Sequence, residues 1–178
     1  MKNLGLLGAR LVLGGYLAVH GAQKLFGSFG GRGLEATSVG FESIGLRPGK
    51  AMAAMAGGSE FGGGILTATG IAYPLGPIMI MGAMIVATVT HRSNGPLSSK
   101  GGFELPLINL AAAAALAATG PGALRLGPSL SPRLTRRVAV AGVLLGGPAL
   151  YQLLNAPKPE PKTGETEDET GETEDETA

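Results

Sequence analysis

Residues 4–26 read LGLLGARLVLGGYLAVHGAQKLF, 23 residues of apolar sequence interrupted by Arg10, His20 and Lys24. As a helix at 1.5 Å per residue this stretch is about 35 Å long, enough to cross a hydrocarbon core of about 30 Å. A secretory signal peptide is the rival reading, because Lys2 precedes the apolar run. Arg10 cuts the would-be hydrophobic region short, and no clear small-x-small cleavage site follows. An uncleaved membrane span is the reading that fits.

Working outward, residues 27–50 form a polar, Gly-rich loop ending in the turn-like Leu46-Arg47-Pro48-Gly49. A second apolar run, residues 51–73, has Glu60 as its one charge. Pro74 and Pro77 mark a very short link to a third run that reaches about Thr90, which predicts an antiparallel helical hairpin. After the polar loop 91–102, a fourth run covers Phe103 to Thr119, alanine-rich at 111–115, and Gly120-Pro121-Gly122 stops it. Residues 123–137 carry four arginines and two prolines and read as a loop or interfacial segment. A fifth apolar run, Val138 to Leu154, contains Gly146-Gly147-Pro148. It could span, lie in the interface or pack as a broken helix, and spanning is favoured. The sequence is therefore that of an all-α integral membrane protein: a four-helix bundle over residues 1–122, an Arg-rich loop with a fifth apolar helix over 123–156, and a tail over 157–178.

Charge supports this division. The tail holds nine of the thirteen acidic residues and two of the fourteen basic ones, a net −7. Residues 1–156 keep twelve basic and four acidic residues, a net +8. The basic residues lie mainly between apolar runs, as in loops at a membrane surface, rather than on the soluble basic face of a nucleic-acid-binding protein. The tail contains Thr163-Gly164-Glu165-Thr166-Glu167-Asp168-Glu169, repeated at 170–176. Dense like charge without apolar residues predicts a disordered tail rather than a coiled coil. Glycine, 31 of 178 residues, sits largely inside the apolar runs, where membrane helices tolerate it. The absence of cysteine excludes disulfides, thiolate metal sites and a cysteine nucleophile in this chain. Two histidines 71 residues apart predict no metal site.

Loop charges leave orientation nearly balanced. With a cytoplasmic amino terminus, one side holds Lys2, Arg125, Arg133, Arg136 and Arg137, and the other Arg32, Arg47, Lys50, Arg92 and Lys100. The cluster at 133–137 tips the choice toward a cytoplasmic amino terminus.

An ionisable group at membrane depth costs several kcal/mol and usually faces the bundle interior beside a partner. In the first run Arg10, Leu17 and Lys24 recur every seven residues, with Gly14, His20 and Gly21 on the same stripe. Glu60 lies near the middle of the second run, and its helical neighbours Ala53, Ala56, Gly57, Gly63, Gly64 and Thr67 are all small. That face can pack closely against another helix. Glu60, Arg10, His20 and Lys24 are thus candidates for one intramembrane polar cluster, with Arg10 or the His20/Lys24 pair as the partner of Glu60. A protonated, merely hydrogen-bonded Glu60 is the alternative. His91, Glu104 and Asn109, around the third loop, are secondary candidates for a cofactor site.

These residues also carry a resemblance. Arg10 followed by His20-Gly21-Ala22-Gln23-Lys24-Leu25-Phe26, then Gly57-Gly58-Ser59-Glu60-Phe61-Gly62-Gly63-Gly64-Ile65-Leu66, resembles the opening helices of the DoxX family. His91, Gly101-Gly102-Phe103-Glu104, Asn109 and Gly120-Pro121-Gly122 agree in order and spacing. The resemblance implies a four-helix protein of the bacterial or archaeal cytoplasmic membrane, linked to quinone-dependent oxidation of sulfur compounds. It also implies, for some members, an anchor for a superoxide dismutase and a thiosulfate sulfurtransferase. Two readings follow: a membrane subunit or anchor of a redox-linked complex, and a quinone- or proton-handling oxidoreductase subunit with its site around Glu60. A small transporter is a third.

Overall fold

The structure, a computed structural model, describes residues 1–155; the acidic repeats expected to be disordered lie outside them. Six α-helices are present among the described residues: α1 (Lys2–Phe26), α2 (Gly33–Ser43), α3 (Gly49–Thr69), α4 (Leu75–His91), α5 (Glu104–Thr119) and α6 (Pro132–Asn155). Short 3-10 turns, Arg92–Asn94 and Ser98–Lys100, fill the link between α4 and α5. Three segments are long and apolar enough to cross a membrane: α1, residues 75–94 and α6. Their outer faces carry large apolar side chains, among them Val12, Val143 and Leu144, each more than 70% exposed. Apolar surface on that scale suits lipid as solvent rather than water.

The helix ends follow local chemistry. Gly70 takes the left-handed conformation (φ 71°) that closes α3, and its amide donates to the Leu66 carbonyl. Pro77 falls in the first turn of α4, where an amide hydrogen has no helical partner to lose. Pro132 opens α6 after Ser131, whose carbonyl accepts from the Thr135 amide at 2.9 Å.

One helix departs from the sequence reading. Residues 33–43 were expected to be loop, because Gly33, Gly40, Thr37 and Val39 favour helix poorly. They form α2 because tertiary contacts outweigh propensity. Within α2 the hydroxyls of Thr37 and Ser38 donate back to the Gly33 and Glu35 carbonyls. Between elements, the Glu42 carboxylate accepts the Gly49 amide at 3.1 Å and ties α2 to the start of α3, against which it packs.

The central contact is an antiparallel crossing of α1 and α3 built on glycine. A Cβ at Gly14 would lie 2.5 Å from the Gly64 carbonyl oxygen, and one at Gly21 would lie 2.6 Å from that of Gly57. No other residue fits at these points. On the other side of α3, Gly76 of α4 faces the backbone of Thr67, so α4 packs equally closely. Leu13, Leu17, Ile80, Met84, Ala113 and Leu116 then form the core shared by α1, α4 and α5.

The far end of α6 is fastened separately. Ala149 and Leu153 pack on Leu46, with Phe41, Met52, Val86 and Val89 around them. Gln152 accepts the Arg47 amide at 2.7 Å and donates to the Arg47 carbonyl at 2.8 Å. The middle of α6 makes no such contacts, and a gap opens between it and α3–α4.

Gly64→Ala should lower the melting temperature of the detergent-solubilised chain, with an overpacking cost of about 1–3 kcal/mol. Gly58→Ala, where a Cβ meets nothing within 4 Å, should match or exceed wild type. Equal melting of both variants would mean that the crossing is not close-packed.

Candidate functional site

Because α1 and α3 run antiparallel through Gly21 and Gly57, the end of α1 reaches the middle of α3. Lys24 lies against Gly57, where a Cβ would come within 3.3 Å of its own, and its long side chain runs along α3 to Glu60, one turn further on. The Lys24 ammonium donates to Glu60 Oε2 in an ion pair. The Glu60 side chain is 6% exposed and that of Lys24 is 28% exposed, so the carboxylate lies inside and the ammonium at its rim. An opposite charge in direct contact offsets part of the cost of burying a carboxylate here.

Arg10 does not join this pair. It lies fourteen residues earlier on α1, about 21 Å along the axis. Its guanidinium, 1% exposed, donates to the Pro121 carbonyl at 2.7 Å and to that of Leu124. It also packs against Gly70, where a Cβ would come within 3.2 Å of its central carbon. The cation therefore sits at the C-terminal ends of α3 and α5, where unpaired carbonyls favour positive charge. The same end is stitched by Asn3 to the Ala123 amide, by Leu126 to the Thr69 carbonyl and by Leu130 to that of Tyr73. The Tyr73 hydroxyl adds a bond to the Leu116 carbonyl. Arg10 thus organises one end of the bundle while Lys24 and Glu60 occupy the other half.

His20 is half-buried and packs edge-on against Tyr16, their rings 4.4 Å apart. It stands one turn from Lys24 without contacting Glu60 through a hydrogen bond. Of the four clustered candidates, the fold brings two into contact.

The ion pair forms part of the wall of a cavity of about 430 Å³ between α2, α3, α4 and α6. The remaining wall is overwhelmingly apolar: Met52 and Met55 from α3, Met79 and Val86 from α4, Ala141 and Leu145 from α6. Ser59 adds a hydroxyl beside Glu60, and Thr90 and His91 lie toward the other end. His91 itself bonds through Nδ1 to the Gly101 carbonyl at 2.9 Å. Glu104 accepts the Ser98 amide at 3.0 Å in the α4–α5 link. Neither Glu104 nor Asn109 lines the cavity. A small cavity with one charged pair and apolar walls can hold a lipophilic molecule by its polar end.

The model of the DoxX family matches residues 5–93, half of the chain, from the start of α1 through the turn after α4. The chain belongs to the DoxX family. No curated protein and no solved structure matches it. Lys24, Glu60 and the α3–α4 wall of the cavity lie inside the matched region. The α6 wall lies outside, so this DoxX chain closes its cavity with a segment beyond that match.

The contribution of α2 and α6 to the cavity was not foreseen from sequence. One signal was present: Met52, Met55, Ser59 and Glu60 fall on one helical face, mixing long flexible apolar side chains with the midspan carboxylate.

Removing one partner of a buried pair strands the other charge, at about 3–5 kcal/mol for full burial. With Lys24 partly exposed, Lys24→Gln should cost about 2–3 kcal/mol once solvent screening is allowed for. The double variant Lys24→Gln/Glu60→Gln should melt above the single one in detergent. Equal melting would mean that the two charges are not coupled.

Proposed function

We propose that this DoxX protein is a membrane subunit of a redox-linked complex and that it binds a quinone-type molecule in the α2–α3–α4–α6 cavity. The observation that carries the reading is the Lys24–Glu60 pair in an otherwise apolar cavity. A quinone has this pattern of chemistry: a ring bearing two carbonyl acceptors on a hydrophobic body and tail. When bound, it supplies reversible uptake of two electrons and two protons, the electrons coming from a redox partner protein.

The chain's residues have defined tasks in this reading. Lys24, with three donors and its side chain at the rim, donates a hydrogen bond to a carbonyl oxygen. Glu60 orients that ammonium through the ion pair. The methionines Met52, Met55 and Met79 adapt their shape to a planar ring. His20, turned toward Tyr16, is outside the hydrogen-bonding group.

In this reading α1, α3, α4 and α5 cross the cytoplasmic membrane of a bacterium or archaeon as a four-helix core, and α6 adds a fifth crossing. The resemblance to redox anchors makes a superoxide dismutase or a sulfurtransferase the class of partner expected.

The test is extraction of the full chain in mild detergent, with mass spectrometry of all that copurifies. Quinone should be retained near one per chain. Glu60→Gln, and Ala141→Phe, which fills the cavity without touching the pair, should each lower retention about tenfold, equivalent to about 1.4 kcal/mol. Stoichiometric redox enzymes without quinone would overturn the quinone site and make the chain an anchor alone.

A further inference from the structure

The arginines that open α6 have no counterpart in the cavity reading. Arg133, Arg136 and Arg137 are exposed, and among the described residues no carboxylate lies within 4 Å of them. Followed along the helix, their face continues as Val140, Ala141 and Leu144. The spacing, 133, 136, 137, 140, 141 and 144, is that of a single α-helical stripe. These six residues line one shallow cleft of about 510 Å³. One end of the cleft is cationic and the rest is apolar.

Depth fixes what such a cleft meets. The apolar part of α6, residues 138–154, is about 26 Å long as a helix, close to the thickness of a hydrocarbon core. With that part in the core, the three guanidiniums stand at the level of the headgroups and the apolar half at that of the acyl chains. Guanidinium presents its donors in a planar fork that matches the oxygens of a phosphate, and three such groups together favour an anion over a zwitterion. The negative surface potential of an anionic leaflet adds attraction for each basic residue near it.

We infer that the Arg133–Arg136–Arg137 face of α6 is a binding site for one anionic phospholipid, its phosphate held by the arginines and an acyl chain lying along Val140, Ala141 and Leu144. The site shares only Ala141 with the quinone cavity, its arginines lie outside that cavity, and it does not depend on that reading. Among the described residues the opposite end of α6 has no arginine of its own: Tyr151 and Leu154 are exposed there, Arg47 contributes its backbone to Gln152, and Arg92 donates to the Leu153 carbonyl at 3.4 Å.

The site is tested by native mass spectrometry of the full chain in mild detergent, titrated with phosphatidylglycerol or with phosphatidylcholine of the same acyl chains. Wild type should bind the anionic lipid at least tenfold more tightly than the zwitterionic one, and the preference should weaken with added salt. Combined Arg133→Gln, Arg136→Gln and Arg137→Gln should abolish the preference, whereas combined Arg32→Gln and Lys100→Gln, on the other side of the bundle, should leave it intact. If the triple variant fails to accumulate, Leu144→Trp, which obstructs the acyl part alone, should reduce the affinity severalfold. A wild type without headgroup preference, or a preference that survives the triple substitution, would overturn the site.

Discussion

The close approach of α1 and α3 is the constraint on which the rest of the molecule depends. Gly14 against Gly64 and Gly21 against Gly57 bring two backbones to a separation that any side chain would prevent. In lipid there is little hydrophobic drive for helices to associate, so packing and interhelical polar contacts carry the association. The crossing supplies both. It fixes the register that puts Lys24 opposite Glu60, and the same register carries Arg10 to the end of α3, beside Gly70. Each buried charge is thus matched by a partner chosen by geometry: a carboxylate for Lys24, helix-end carbonyls for Arg10.

Much of this was legible in the sequence. The 23-residue apolar opening, the proline-marked hairpin and the midspan Glu60 on a small-residue face identified helices, their antiparallel order and the residue most in need of a partner. Two things were not legible. Seven-residue spacing puts Arg10 and Lys24 on one stripe, but it cannot say that the stripe meets different chemistry at its two ends. The carbonyls that hold Arg10 come from Pro121 and Leu124, more than a hundred residues away. Nor do local preferences announce α2, whose glycines and β-branched residues suit a loop until Glu42 meets the Gly49 amide. The cavity was hidden for the same reason, since part of its wall comes from α2 and α6, and only three-dimensional packing brings these to Glu60.

The two ends of the molecule have separate work. At one end Arg10, Asn3 and Tyr73 bind the 121–130 segment to the helix ends, which makes that half rigid and closed. In the other half α6 stands away from α3 and α4 through its middle, and the space between them retains one ion pair among apolar side chains. Small residues on α6, Ala141 and Gly142, face Gly82 and Ala83 of α4 across that space.

The central claim is that this cavity, rather than the lipid-facing surface, receives a quinone. The most direct measurement is photocrosslinking of the reconstituted full chain with an azido-quinone, followed by peptide mass spectrometry. Crosslinks should concentrate on Met52, Met55, Met79 and the cavity-lining α6 residues Ala141, Gly142 and Leu145, and excess unlabelled quinone should displace them. Labelling spread over outward residues such as Val12 and Val143, undiminished by competitor, would contradict the claim.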